Sequence, residues 1–145
     1  MSRLNNKVAI VSGGGSGIGA ATAKRFAEEG ASVVICGRRI EPLQAVVVEI
    51  EAAGGKAAAV ICDVSDEQSV KNLVAETVAT FGKLDIVVNN ATLIEAGALG
   101  FHETDAWRNN FTVTVDGTMF MMREAYAEVA KTKGAVVNIS SVVAL

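Results

Sequence analysis

Five short runs along the chain are apolar almost throughout: residues 8–11, 33–36, 57–62, 86–88 and 135–139, the last broken only by Asn138. Alternating polarity would mark strands with one wet face. Unbroken apolarity predicts strands covered on both faces. Between the runs lie four longer stretches of helical character, at 18–29, 41–53, 66–81 and 104–131. Their ends carry local signals. Gly30 is placed to close the first, Pro42 suits the first turn of the second, Ser65 with Gln68 forms a capping box for the third, and Gly82 closes it. The order β-α-β-α-β-α-β-α-β predicts an α/β fold: a doubly wound parallel sheet with right-handed crossovers, a Rossmann fold in three layers, α/β/α. No internal repeat or linker interrupts it, so residues 1–145 read as one domain.

Composition narrows the partners. Half of the 145 residues are hydrophobic and the net charge is −3. No basic field is available to hold nucleic acid or an anionic membrane. The apolar runs fall well short of the ~20 residues that span a bilayer, and no charged-then-apolar leader precedes the first strand, so a soluble cytoplasmic protein is expected. Cys36 and Cys62 lack CxxC spacing and a nearby histidine. They read as buried thiols of a reducing compartment, with no metal site. His102, the only histidine, sits in a polar stretch and reads as a surface residue, while Trp107 and the run Met119-Phe120-Met121-Met122 read as packing.

Residues 12–19, Ser-Gly-Gly-Gly-Ser-Gly-Ile-Gly, join the first predicted strand to the first helix. A strand, a glycine-rich turn and a helix start bring backbone N–H groups and the positive end of a helix dipole to one point, which is a site for a pyrophosphate. Gly13 allows the tight turn, Gly17 the approach of a ligand to the backbone, and Gly19 close packing of helix on strand. Spacing alone leaves two registers open, GxxxGxG from Gly13 and GxGxxA from Gly15. At the end of the second strand the chain reads Gly37-Arg38-Arg39, with no carboxylate for a ribose 2′-hydroxyl. Two forked guanidiniums suit a 2′-phosphate, so NADP(H) is favoured over NAD(H); the competing reading is a pair of solvated arginines.

Several motifs together resemble the short-chain dehydrogenase/reductase family of the one-domain kind. Ser12-Gly13-x-x-x-Gly17-Ile18-Gly19, with Ser16 inside it, is similar to the family's TGxxxGIG loop and selects the GxxxGxG register. Cys62-Asp63-Val64 resembles the Asp-Val that meets the adenine, Asn89-Asn90-Ala91 the family's NNAG, and Asn138-Ile139-Ser140-Ser141 the segment ending in the catalytic serine. The resemblance implies an oxidoreductase that moves a hydride between nicotinamide and a carbonyl, alcohol or enoyl-type small-molecule substrate. Ser141 would polarise the substrate oxygen, and the full-length protein would be a homodimer or homotetramer.

The departures are specific. The family's Tyr-x-x-x-Lys is expected just after Ser141, beyond Leu145. Tyr126 does not supply it, because Ala130 holds the i+4 position, Lys131 points elsewhere on the helix, and the pair precedes the serine. Thr114 stands where the family's water-holding asparagine would be, with Asn110 one turn away as a partial substitute, and Thr92 replaces the last glycine of NNAG. The fifth strand would be an open apolar edge without a sixth, so the chain is expected to be incomplete on its C-terminal side and to associate through that edge. The alternative to an enzyme is a catalytically incomplete module that binds a nucleotide or a partner.

Overall fold

The computed structural model describes residues 2–141. The apolar runs become β1 (Val8–Ser12), β2 (Ser32–Gly37), β3 (Lys56–Ile61), β4 (Ile86–Asn89) and β5 (Ala135–Asn138). The stretches between them form α1 (Gly17–Glu28), α2 (Ile40–Ala52), α3 (Glu67–Phe81), α4 (Thr104–Phe111) and α5 (Gly117–Lys131). Every strand pairing is parallel, and the order across the sheet is β3-β2-β1-β4-β5.

Central β1 is buried along its whole length, so both of its faces must be apolar. Ile10 points into a core with Val34 and Val87, closed by Leu73 of α3 and Met121 of α5. Val11 points to the other side with Val33 and Ile35, closed by Ala23 of α1 and Leu43 and Ile50 of α2. This is the three-layer Rossmann arrangement that the unbroken apolar runs predict.

Two local expectations are corrected. Asp66, not Ser65, caps α3, its carboxylate accepting the Gln68 N–H at 3.0 Å. Ser65 is committed elsewhere, its hydroxyl donating to Asp63 Oδ1 at 2.6 Å, and the Gln68 side chain reaches forward to Asn72 instead of back. The stretch 104–131 is not one regular helix, since a π-helical turn, Thr112–Asp116, separates α4 from α5. Four consecutive β-branched residues fill it, and the Thr112 and Thr118 hydroxyls donate to the carbonyls of Arg108 and Thr114 at 3.0 and 2.7 Å. Such back-bonding draws carbonyls out of the regular ladder and favours a local widening. Of the residues expected to pack, Met121 is buried, whereas Trp107, Met119 and Met122 keep substantial exposure. His102 is half-buried, edge-on to the Trp107 ring.

Asp85, the residue after buried Leu84, ties the amino-terminal edge of the sheet together. Its backbone N–H donates to Val8 O at 2.9 Å, its carboxylate accepts the Val8 N–H at 2.9 Å, and its carbonyl accepts the Ala135 N–H at 2.9 Å. Lys7 and Lys83 close on the two carboxylate oxygens at 3.1 and 3.0 Å. At the other margin β5 is exposed on all four residues, including Val136 and Val137. It is the open apolar edge expected from the sequence.

Burial works against the charge of Asp85, but the Val8 N–H and the ammoniums of Lys83 and Lys7 outweigh it and hold its carboxyl below the usual range. A lowered folded-state value stabilises the fold above the ordinary carboxylate range, and that stability is lost as pH falls through the lowered value. Asp85→Asn is therefore expected to cost about 1–3 kcal/mol at neutral pH. It should also flatten the acid limb of the stability profile, both read by urea unfolding across pH.

Candidate functional site

The carboxyl ends of β1, β2, β3 and β4 open on one side of the sheet, where β1 has β2 on one flank and β4, reached from β3, on the other. The strand order reverses there, with β2 and β3 to one side of β1 and β4 and β5 to the other, which leaves a crevice above the strand ends. Ser12 builds its floor. Its hydroxyl is buried, donates to Val88 O at 3.3 Å and accepts the N–H groups of Asn90 and Ala91, each at 3.0 Å. Asn90 returns the tie, its side-chain amide donating to the carbonyls of Ser12 and Gly13 at 3.0 and 3.4 Å. The loop after β1 and the loop after β4 are thereby clasped side by side.

Glycine is required at two positions for different reasons. A Cβ at Gly19 would collide with the Gly13 carbonyl and lie 2.6 Å from the Asn90 side-chain nitrogen, so α1 packs on the loop only without one. Gly17 has φ +52° and nothing within 4 Å of where a Cβ would stand. It opens α1 and faces the cleft with unobstructed backbone, the cradle a pyrophosphate needs.

The cleft holds about 420 Å³, a size suited to an organic ligand. Gly13, Ser16, Gly17 and Ile18 line it from the glycine loop, and Arg38 and Arg39 from the end of β2. Asp63 and Val64 line it after β3, and Asn90 and Ala91 after β4. Ten of the residues singled out in the sequence thus meet at one crevice. Both arginines are exposed, and neither is engaged in an ion pair among the described residues. Asp63 Oδ1 accepts the N–H and hydroxyl of Ser65 at 2.9 and 2.6 Å, which fixes the carboxylate at the cleft wall.

Four predicted residues stand apart from the lining. Ser12 and Gly19 act from beneath it, as described. Asn89 is buried, and its amide donates to Asn138 Oδ1 at 2.8 Å, joining β4 to β5. Ser141 lies past the end of β5, exposed and outside the lining. The expected Tyr-x-x-x-Lys falls outside the described residues. Tyr126 is largely exposed on α5 and does not border the cleft.

The structure also places Thr114, the residue expected at the position of the family's asparagine. Thr114, in the π turn, has its hydroxyl 3.0 Å from that of Thr92 and 3.5 Å from the Leu93 N–H. The two departures from the family pattern are hydrogen-bonded to each other. Asn110 is tied to the backbone of Glu95, its carbonyl oxygen accepting the Glu95 N–H at 2.8 Å and its amide donating to Glu95 O at 3.1 Å. Gly15, Gly37, Pro42, Leu43, Cys62, Thr92 and Val113 complete the wall. Cys62 and Thr92 belong to motifs read in the sequence and Pro42 to a helix start, whereas only position signals Leu43 and Val113.

A family model described as short chain dehydrogenase matches residues 7–145, and the chain belongs to that family. A 3beta-hydroxysteroid dehydrogenase of Mediterraneibacter gnavus is 42% identical over 143 residues, covering 98% of this chain and 52% of that protein. A meso-2,3-butanediol dehydrogenase of Serratia marcescens is 37% identical over 140 residues, covering 97% of this chain and 55% of the relative. Among solved structures, a short chain dehydrogenase from Burkholderia cenocepacia in complex with NADP superposes with a TM-score of 0.92 at 39% identity, over 98% of this chain and 58% of that one. The chain spans about half the length of the curated relatives it matches. Among the described residues no helix is long and apolar enough to cross a membrane.

The glycine geometry separates two substitutions. Gly17→Ala meets no neighbour, so it should cost about 1 kcal/mol of stability through its positive φ while sharply weakening nucleotide binding. Gly19→Ala drives a methyl into the Gly13 carbonyl and should destabilise the fold itself, by more than Gly17→Ala. Thermal unfolding and equilibrium nucleotide titration of both variants check the contrast.

Proposed function

We propose that this chain is the cofactor-binding part of an NADP(H)-dependent oxidoreductase that interconverts an alcohol and a carbonyl on a small molecule. One observation carries the reading: two exposed guanidiniums, Arg38 and Arg39, wall the cleft at the end of β2, where the lining includes no carboxylate. Arg38 and Arg39 would hold the 2′-phosphate by charge-assisted, forked hydrogen bonds. The backbone at Ser16–Ile18 would receive the pyrophosphate, and Asp63 with Val64 the adenine. The nicotinamide supplies the hydride donor or acceptor when bound.

Ser141 donates a hydrogen bond to the substrate oxygen, drawing charge onto it as the carbonyl is reduced. Two solved relatives in complex with NADP support the cofactor, and the relatives' names, hydroxysteroid and butanediol dehydrogenases, support the substrate class.

Fluorescence titration with NADPH and NADH tests the cofactor reading. NADPH should bind at least about tenfold more tightly, the equivalent of one charge-assisted contact of about 1.4 kcal/mol or more. Arg38→Asp should abolish that preference. Equal affinity of the unaltered chain for both cofactors contradicts the proposal.

A further inference from the structure

Thr92 puts a side chain on the cleft wall where the family pattern has glycine. Its hydroxyl lies 3.0 Å from that of Thr114, whose oxygen also accepts the Leu93 N–H at 3.5 Å. A hydroxyl has one proton to donate and two lone pairs to accept with. When Thr114 receives from Leu93 and donates to Thr92, Thr92 keeps its own proton. No other side-chain hydrogen bond among the described residues uses the Thr92 hydroxyl. A glycine could supply no such donor.

Both partners are held from elsewhere. Asn90 is clasped to Ser12 and Gly13 on one side of Thr92, and Glu95 is bonded to Asn110 on the other, so Thr92 lies on a short span fixed at each end. The carbonyl of Thr114 accepts the Thr118 hydroxyl at 2.7 Å. A Cβ at Gly117 would stand 2.7 Å from Val64 Cγ2, so the start of α5, directly after the π turn, is seated against the wall that follows β3. The two hydroxyls are exposed, yet the backbones that carry them have little freedom. Orienting Thr92 therefore adds little entropy cost when a ligand arrives.

The glycine loop follows the central strand, with Arg38 and Arg39 after β2 on one flank and Thr92 after β4 on the other. A dinucleotide whose 2′-phosphate meets the arginines and whose pyrophosphate meets Gly17 has its second nucleoside on the β4 flank; that placement rests on the proposed function. We propose that Thr92 is a further cofactor-contacting residue, its hydroxyl donating to an oxygen of the nicotinamide-side nucleoside, and that Thr114 is the residue that positions it.

The test compares two probes on the 145-residue protein by equilibrium titration: NADPH, and adenosine 2′,5′-bisphosphate, which carries only the adenine half. Thr92→Val, nearly isosteric but without the hydroxyl, should bind NADPH about three- to tenfold more weakly, the scale of one hydrogen bond. Thr92→Ser, which restores the donor, should recover most of that loss. Thr114→Val should also weaken NADPH, by about two- to fivefold, and should add nothing in the Thr92→Val background, because the two hydroxyls act as one unit. All of these variants should bind the bisphosphate as the unaltered chain does, which also shows that the glycine loop and its clasp are intact.

Unchanged NADPH affinity in Thr92→Val overturns the proposal, as does a failure of Thr92→Ser to recover the loss. An equal loss for both probes overturns it too, since that marks a disturbed loop and not a lost contact, and so does an independent further loss when Thr114→Val is added. In each of these cases the unaltered chain binds both probes and the cofactor reading stands. If the unaltered chain binds neither probe, the cofactor reading itself fails and the assignment of Thr92 falls with it.

Discussion

The mutual tie between Ser12 and Asn90 is the constraint on which the site depends. Ser12 closes the central strand with a buried hydroxyl that would be costly to leave unsatisfied, and it is satisfied by backbone groups of β4 and the loop after it. Asn90 uses its amide to hold the carbonyls that turn the glycine loop. Gly19 then has to be a glycine because the first turn of α1, in which it sits, lies against that clasp. The cleft is thus set by hydrogen-bonded polar groups beneath it and not by the exposed side chains at its rim.

The apolar sheet makes this precision available. Ile10 and Val11 send their side chains to opposite faces, so β1 is locked between two cores and its carboxyl end has little freedom. Asp85 performs the corresponding service at the opposite end, where one carboxylate holds Val8 and two lysines and one carbonyl reaches β5. With both ends of the central strands pinned, the loops above them bring Arg38, Asp63 and Gly17 to one cleft.

The fold was legible because burial on two faces writes itself as unbroken apolarity, and because Gly30 and Gly82 mark helix ends by conformational need. Ten cleft residues were legible because each follows a strand end or belongs to the glycine loop. Side-chain choice within a turn was not: Ser65 and Asp66 both look like caps, and only the competing bond to Asp63 decides between them. The π turn was hidden for the same reason, since Thr112 and Thr118 acquire their effect from which carbonyl each hydroxyl reaches. Asn89 shows the limit of adjacency. It neighbours Asn90 in sequence, yet the alternation of the strand turns it into the sheet toward Asn138 and away from the cleft.

The most direct test of the account is an amide-resolved NMR titration of this chain with NADPH. Binding at the crevice predicts the largest shifts at the N–H groups of Ser16, Gly17 and Ile18, at Arg38 and Arg39, and at Asp63 and Val64, with β5 little affected. Shifts concentrated along Ala135–Asn138 or on the outer faces of α4 and α5, with the glycine loop unmoved, would contradict it.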